Sequence, residues 1–323
     1  MMINKNMSEY TNNALLSLSE EIQHIADNVS QSIVSIQSGN RGTGSGVIWN
    51  ADGQIVTCSH IIGELDEVEV SLSNGKSYPT KVIGNDPYSD IALLKIKDIT
   101  GISLKPLEIT DSENLKAGQF VLALANPYGD YSSITQGIIT SERRSIRGGA
   151  AGWHWPVAAA DVMDNIVISD TRLNPGYSGG PLVNVQGKMI GLNIAYISSR
   201  GIAIRANKIK TISERLAKDG EIKMALLGIV TAGVSLPMEV AAQLEPAQEE
   251  GLIVLSVKKD TAAKKAGLLV GDVIVKFDDQ PITNLHDLRR QLLKQDAIGK
   301  SAKLTIIRAE KKKELVIIPE EEG

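Results

Sequence analysis

The chain has 323 residues, 42% of them hydrophobic and 22% charged, with a formal net charge of −4. That length exceeds one ordinary core and implies two or three soluble folding units, and so small a negative charge argues against nucleic acid as a partner. One cysteine, Cys58, excludes an intramolecular disulfide, and residues 1–32 hold no apolar run long enough for a signal core or a membrane span, which taken literally places the protein in the cytoplasm.

In chain order, residues 1–24 read as a polar helical segment carrying Leu15, Leu16 and Leu18. From about Ile33 to Ala206 the pattern is that of short strands: Val68 to Leu72, Lys81 to Ile83, Phe120 to Ala125 and Ile166 to Ile168 are apolar or alternating runs. Asp52-Gly53 and Asn74-Gly75 are hairpin signals between them. The run Gln54 to Ser59 ends at His60, and Cys58 within it reads as a buried thiol. Asp90 opens the apolar strand Ile91 to Ile96, where a carboxylate is partly buried and needs a partner. A loop from Gly148 to Pro156 holds Trp153 and Trp155 among glycines and alanines. Asn207 to Lys218 reads as a helix with Ile209, Ile212 and Leu216 on one face, stopped by Asp219-Gly220. The pattern then changes, and residues 221–320 form a separate unit with its own strands and a helix across Leu285, Leu288 and Leu292. Lys311 to Lys313 reads as a solvated hairpin turn.

The candidate chemistry lies in Asn174-Pro175-Gly176-Tyr177-Ser178-Gly179-Gly180-Pro181. A serine framed by glycines is exposed, and nearby backbone amides, those of Gly176 and Ser178, are placed to hold a carbonyl oxygen as it gains charge. Glycine-serine runs are also ordinary turns, so the reading depends on partners: a serine hydroxyl needs a base, and the base an orienting carboxylate. Of four histidines, His24 lies in the polar N-terminal stretch, His154 between two tryptophans and His286 in a helix-like segment. His60, where a strand ends, is the one a barrel rim would display. Asp90 is the matching acid.

The order His60, Asp90, Ser178 is that of the chymotrypsin-like arrangement. With Thr43-Gly44-Ser45-Gly46-Val47-Ile48, Thr57-Cys58-Ser59-His60, Asp90 to Leu94, Asn126-Pro127-Tyr128-Gly129 and Asn174 to Pro181, residues 25–218 resemble the HtrA/Deg serine proteases. Residues 221–320 resemble the PDZ domain that follows the protease in that family, with Leu227-Gly228-Ile229-Val230 matching the carboxylate-binding loop.

The resemblance implies a mainly β fold of two six-stranded barrels followed by a PDZ domain. It implies an ATP-independent endopeptidase for unfolded or damaged proteins, with no metal or cofactor, whose PDZ domain takes protein C-termini. It places Ile194, Ala195 and Tyr196 in the strand that pairs with substrate backbone and Leu173 in the primary pocket. It also implies a homotrimer, for which Tyr10 is the available aromatic near the N-terminus. In the family the loop holding Trp153 and Trp155 senses a neighbour, though an aromatic pair packed on the barrel is an equal reading. Three features depart from the pattern: Tyr177 stands where asparagine is usual, Arg172 brings a charge beside an apolar pocket, and the segment Gln37 to Gly42 is short. A chaperone or peptide-binding scaffold is the competing class, which has no need of the three catalytic side chains. A cysteine- or metal-dependent hydrolase finds no ligand spacing in the sequence.

Overall fold

A computed structural model describes residues 3–39, 42–129, 132–141, 145–147, 162–220, 225–292 and 297–321. It divides into two compact units, Met1–Ile222 and Lys223–Gly323.

The first unit begins with α1 (Ile3–Ser30), whose Leu15, Leu16 and Leu18 are exposed while Ile25 and Val29 near its end join the core. Six antiparallel strands follow: β1 (Ile33–Gln37), β2 (Thr43–Ile48), β3 (Gln54–Thr57), β4 (Glu67–Ser71), β5 (Ser77–Asp86) and β6 (Ile91–Ile96). They close into a barrel in the order β1-β2-β3-β6-β5-β4, with Ile36 opposite Val70 at the seam. β6 is buried at Ile91, Ala92, Leu93, Leu94 and Ile96, which explains its continuous apolar run: one face meets the barrel interior and the other meets packed elements. Between β3 and β4 lies the short α2 (Ser59–Ile62).

The second barrel is built from β7 (Phe120–Ala125), β8 (Ser133–Ser141), β11 (Ile166–Ser169), β12 (Pro181–Val183), β13 (Met189–Ile197) and β14 (Arg200–Arg205), in the order β11-β14-β13-β12-β7-β8. A two-stranded ribbon, β9 (Ser145–Arg147) with β10 (Val162–Asp164), stands apart from it. Closure removes exposed edges, the usual hazard of an all-β unit. Helix α3 (Ala206–Asp219) packs on β5, β6, β13 and β14 through Ile209, Ile212 and Leu216, so it touches both barrels. Two six-stranded barrels are what the strand spacing and the resemblance led us to expect.

The second unit comprises β15 (Ala225–Leu226), β16 (Ile229–Ser235), α4 (Met238–Ala241), β17 (Glu250–Val257), α5 (Ala262–Lys265), β18 (Val273–Phe277), β19 (Gln280–Pro281), α6 (Leu285–Leu292), β20 (Ala302–Arg308), β21 (Lys311–Ile317) and β22 (Glu320–Glu321). The main sheet runs β16-β17-β18-β20-β21, and its core includes Leu252, Ile274, Phe277, Leu288, Leu304 and Ile306. Lys311 to Lys313 lie on β21 and not in the turn: the turn is Ala309-Glu310, both at positive φ (49° and 62°), and Arg308 pairs with Lys311. Arg308 grips the buried Asp272 with two nitrogens, each 2.6 Å from a carboxylate oxygen.

Candidate active site

At the end of β3 the chain passes Thr57 and Cys58 and turns into α2, which sets His60 beside the residue that precedes β6. The His60 ring Nδ1 lies 3.0 Å and 2.9 Å from the two carboxylate oxygens of Asp90, and the His60 amide donates to Asp90 Oδ1 at 3.0 Å. The Ser59 amide donates to the Asp90 carbonyl at 3.2 Å. Asp90 is buried, and its backbone is left-handed (φ 56°), a region that aspartate tolerates better than most residues. The turn that presents it is knotted by Asp86, whose carboxylate accepts from the Tyr88 and Ser89 amides and the Ser89 hydroxyl. Burial pushes the Asp86 carboxyl up, with the Ser89 hydroxyl drawing it partly back. Cys58 is fully buried beside this pair and donates to the Asn193 carbonyl at 3.4 Å. Burial, and next the Asp90 charge, hold its thiol well above the ordinary range.

Ser178 arrives from the second barrel on the turn before β12. Its Oγ donates to the Ile194 carbonyl at 3.1 Å. Gly176 has φ 89°, and a Cβ there would come within 2.4 Å of Pro127 Cβ, so glycine is required for this loop to lie against Asn126 to Gly129. The amides of Gly176 and Ser178 donate to no acceptor among the described residues, whereas the neighbouring Tyr177, Gly179 and Gly180 amides are satisfied by Asn174, Asn193 and Tyr177 carbonyls. Two backbone donors beside Ser178 thus stay available for another acceptor.

The expected substrate strand is β13. Its register against β14 slips between Asn193 and Ala195, making Ile194 the extra residue of a bulge, and this turns the Ile194 carbonyl toward Ser178. Ile194 is buried, Ala195 half-buried and Tyr196 exposed. Leu173 is buried within the second barrel's inner cluster, and Arg172 is exposed. Tyr177 lies in that same buried cluster with Val121, Ala123, Ile139 and Leu182. It therefore cannot obstruct substrate residues beyond the cut, and burial raises its phenol. Truncation to alanine is expected to cost about 3–5 kcal/mol, as for other large core residues, and Tyr177→Phe much less, since it keeps the buried ring. Denaturant unfolding checks both; equal, small losses would place the side chain outside the core.

Sequence reading assigned no role to Ser45, yet it ties the site together. Its amide donates to the Ser178 carbonyl (2.9 Å), its hydroxyl donates to the Gly176 carbonyl (2.8 Å) and accepts from the Asn126 amide (2.9 Å). The glycines flanking it, Gly44 and Gly46, lie against Ile61 and against Ile55, Ile36 and Val34 of the first barrel, while Gly179 of the Ser178 loop lies against the Ser45 carbonyl. The loop from 148 to 156, with Trp153 and Trp155, lies outside the described residues, as does the Tyr10 side chain.

In the second unit β16 is an edge strand with α6 packed beside it. Leu227 is buried in the core, Ile229 half-buried and Val230 exposed. Gly228 has φ 76°, and a Cβ there would meet Thr261 at 2.4 Å.

The comparisons agree with this geometry. Residues 44–192 match the trypsin-like peptidase domain family and residues 227–318 the PDZ domain family. A probable periplasmic serine endoprotease, DegP-like, of Rickettsia conorii is 34% identical over 284 residues, covering 85% of this chain and 53% of the relative. The periplasmic serine endoprotease DegP of Escherichia coli K12 is 34% identical over 256 residues, 77% of this chain and 51% of the relative. The chain thus spans about half the length of the curated relatives it matches. Among solved structures, the serine endoprotease from Yersinia pestis aligns at 26% identity with a TM-score of 0.72, covering 93% of this chain and 98% of that one. The HtrA-type protease AlgW with a decapeptide shares the fold, with a TM-score of 0.74 at 23% identity, over 93% and 98% of the two chains.

The fold and these matches define a trypsin-like peptidase domain followed by one PDZ domain. The chain belongs to the HtrA/Deg family of DegP-like serine proteases. The same relatives correct one expectation: they are named periplasmic, which overturns the cytoplasmic location read from the N-terminal residues. That reading rested on the absence of an apolar run in residues 1–32, and such an absence does not by itself set a location.

Proposed function

We propose that this chain is an ATP-independent serine endopeptidase cleaving unfolded or damaged proteins, with Ser178 as nucleophile, His60 as general base and acid, and Asp90 as the orienting carboxylate. The observation that carries the reading is the grip of both Asp90 oxygens on His60 Nδ1, which leaves Nε2 as the basic nitrogen. Ser178 gives up its bond to the Ile194 carbonyl, passes its proton to Nε2 and attacks the substrate carbonyl. The Gly176 and Ser178 amides receive the oxyanion, His60 protonates the leaving amine, and water hydrolyses the acyl-enzyme. Ile194, Ala195 and Tyr196 would pair with substrate backbone and Leu173 would line the primary pocket, an apolar setting suited to aliphatic side chains. Incubation of wild type and Ser178→Ala with an unfolded protein tests the reading: equal cleavage by both sinks it.

The second unit would bind protein C-termini. The edge of β16 supports strand addition, and the amides of the Leu227 to Val230 loop would hold the carboxylate. Amidating the terminus of a peptide that ends in an aliphatic residue is expected to weaken binding about 10–100-fold, since charged hydrogen bonds are lost. Calorimetry showing equal affinity for both forms would remove the carboxylate from the account. Assembly as a homotrimer belongs to the same reading, supported by the exposed leucines of α1. The relatives' names support a periplasmic location.

A further inference from the structure

We propose that Cys58, His60 and Asp90 form an inhibitory site for a thiophilic divalent cation of the Zn²⁺ class, which switches the base off by changing its tautomer. The proposal rests on the serine-protease reading of His60.

Three donor atoms of different kinds, the Cys58 sulfur, a His60 ring nitrogen and an Asp90 carboxylate oxygen, all lie within 4.8 Å of one another. Zn²⁺ takes sulfur, nitrogen and oxygen donors at about 2.0–2.3 Å in a tetrahedral set, so shifts of about 1 Å would bring all three to bonding distance, leaving one position for water. No sequence spacing announces such a set, because 30 residues separate His60 from Asp90 and only the pairing of β3 with β6 brings them together. His60 is the member open to solvent, its side chain 31% exposed against 3% for Asp90, so the ion enters past the imidazole.

Binding is balanced as follows. The thiol loses its proton to solvent and the thiolate bonds the metal. The imidazole stays neutral: Nδ1 gives its proton up, bonds the metal, and a proton is taken from solvent at Nε2. The metal also takes an Asp90 oxygen. With Nε2 protonated, His60 has no lone pair to accept the Ser178 proton, and the nucleophile is not generated. No redox step is involved, and removing the metal restores the starting tautomer.

The experiment uses the full chain, wild type and Cys58→Ala, each compared with itself in the absence of metal. Zn²⁺ in a chelator buffer is titrated against cleavage of an unfolded protein, and Cd²⁺ against ultraviolet thiolate-to-cadmium absorbance. Because Cys58 is the only cysteine, any such band comes from it. Wild type is expected to lose activity at a Zn²⁺ concentration at least about tenfold below that needed for Cys58→Ala, as expected for deleting a ligand, with recovery on chelation and a cadmium band absent from the variant. Equal sensitivity of the two proteins, or a wild type without the band, overturns the proposal. Should Cys58→Ala unfold, Cys58→Ser serves, since a hydroxyl keeps the volume but binds these ions poorly. If metal-free wild type cleaves nothing, the protease reading fails by itself, while the absorbance still reports on the metal site.

Discussion

Ser178→Ala is expected to lower kcat for hydrolysis of an unfolded protein by about 10⁵–10⁶-fold, roughly 7–8 kcal/mol of barrier. The size follows from what is lost. Without the hydroxyl there is no acyl-enzyme, and His60 and Asp90 are left with no proton to move, so their contributions vanish with it. What survives is binding and the two amides at Gly176 and Ser178. The fold should survive as well: Ser178 is only half-buried, and its side-chain bond to the Ile194 carbonyl is worth about 1 kcal/mol. Single-turnover assays beside a thermal melt separate the two effects. A variant that keeps its melting temperature and cleaves within tenfold of wild type would move the nucleophile elsewhere.

Asp90→Asn is expected to cost about 10⁴-fold in kcat. Asparagine keeps the shape of aspartate and tolerates left-handed backbone, so the φ of 56° is not a reason for unfolding. The amide differs in what it offers Nδ1. Both Asp90 oxygens accept, which keeps the Nδ1 proton in place and steadies the imidazolium that forms as Ser178 is deprotonated. An asparagine presents one acceptor and one donor, so it can stabilise the tautomer with the proton on Nε2, where the base should be vacant. It also removes the negative charge that the imidazolium needs. The His60 amide, which bonds Asp90 Oδ1, retains an acceptor, so the position of α2 should hold. Loss confined to kcat, with binding of the unfolded substrate unchanged, is the expected pattern; loss confined to KM would make Asp90 a structural residue.

Much of this site was legible before any coordinates, for particular reasons. His60 could be separated from His24 because an apolar run stops at it, and Asp90 stood out as an acid opening an apolar strand. Both features report burial, and burial is what apolar pattern records. Ser178 was marked by glycines that the loop needs in order to pass close to Pro127 at Gly176, to the Ser45 carbonyl at Gly179 and to the Leu124 carbonyl at Gly180. Tyr177 and Ser45 were not legible in the same way. A tyrosine beside a nucleophile is compatible with either face of a turn, and only the β12 to β13 framework turns it inward. A serine in a small-residue strand carries no pattern that says which loops it will bond. Helix α2 was likewise read as the end of a strand, since four residues are too few to show a helical period.

By itself, the sequence determined which residue types sit at the strand ends and turns and that the first two thirds of the chain is built of short strands, because hydrophobic period and turn chemistry are local; six strands to each barrel came from the resemblance. Only the tertiary structure decided that Cys58 lies beside His60 and Asp90, that Ser45 binds three backbone groups at the Ser178 loop and its neighbour, and that the Ile194 carbonyl holds the Ser178 hydroxyl. Each of these joins segments 30 or more apart or depends on a bulge in one strand, and such contacts follow from how the two barrels close and meet, which no short window of residues encodes.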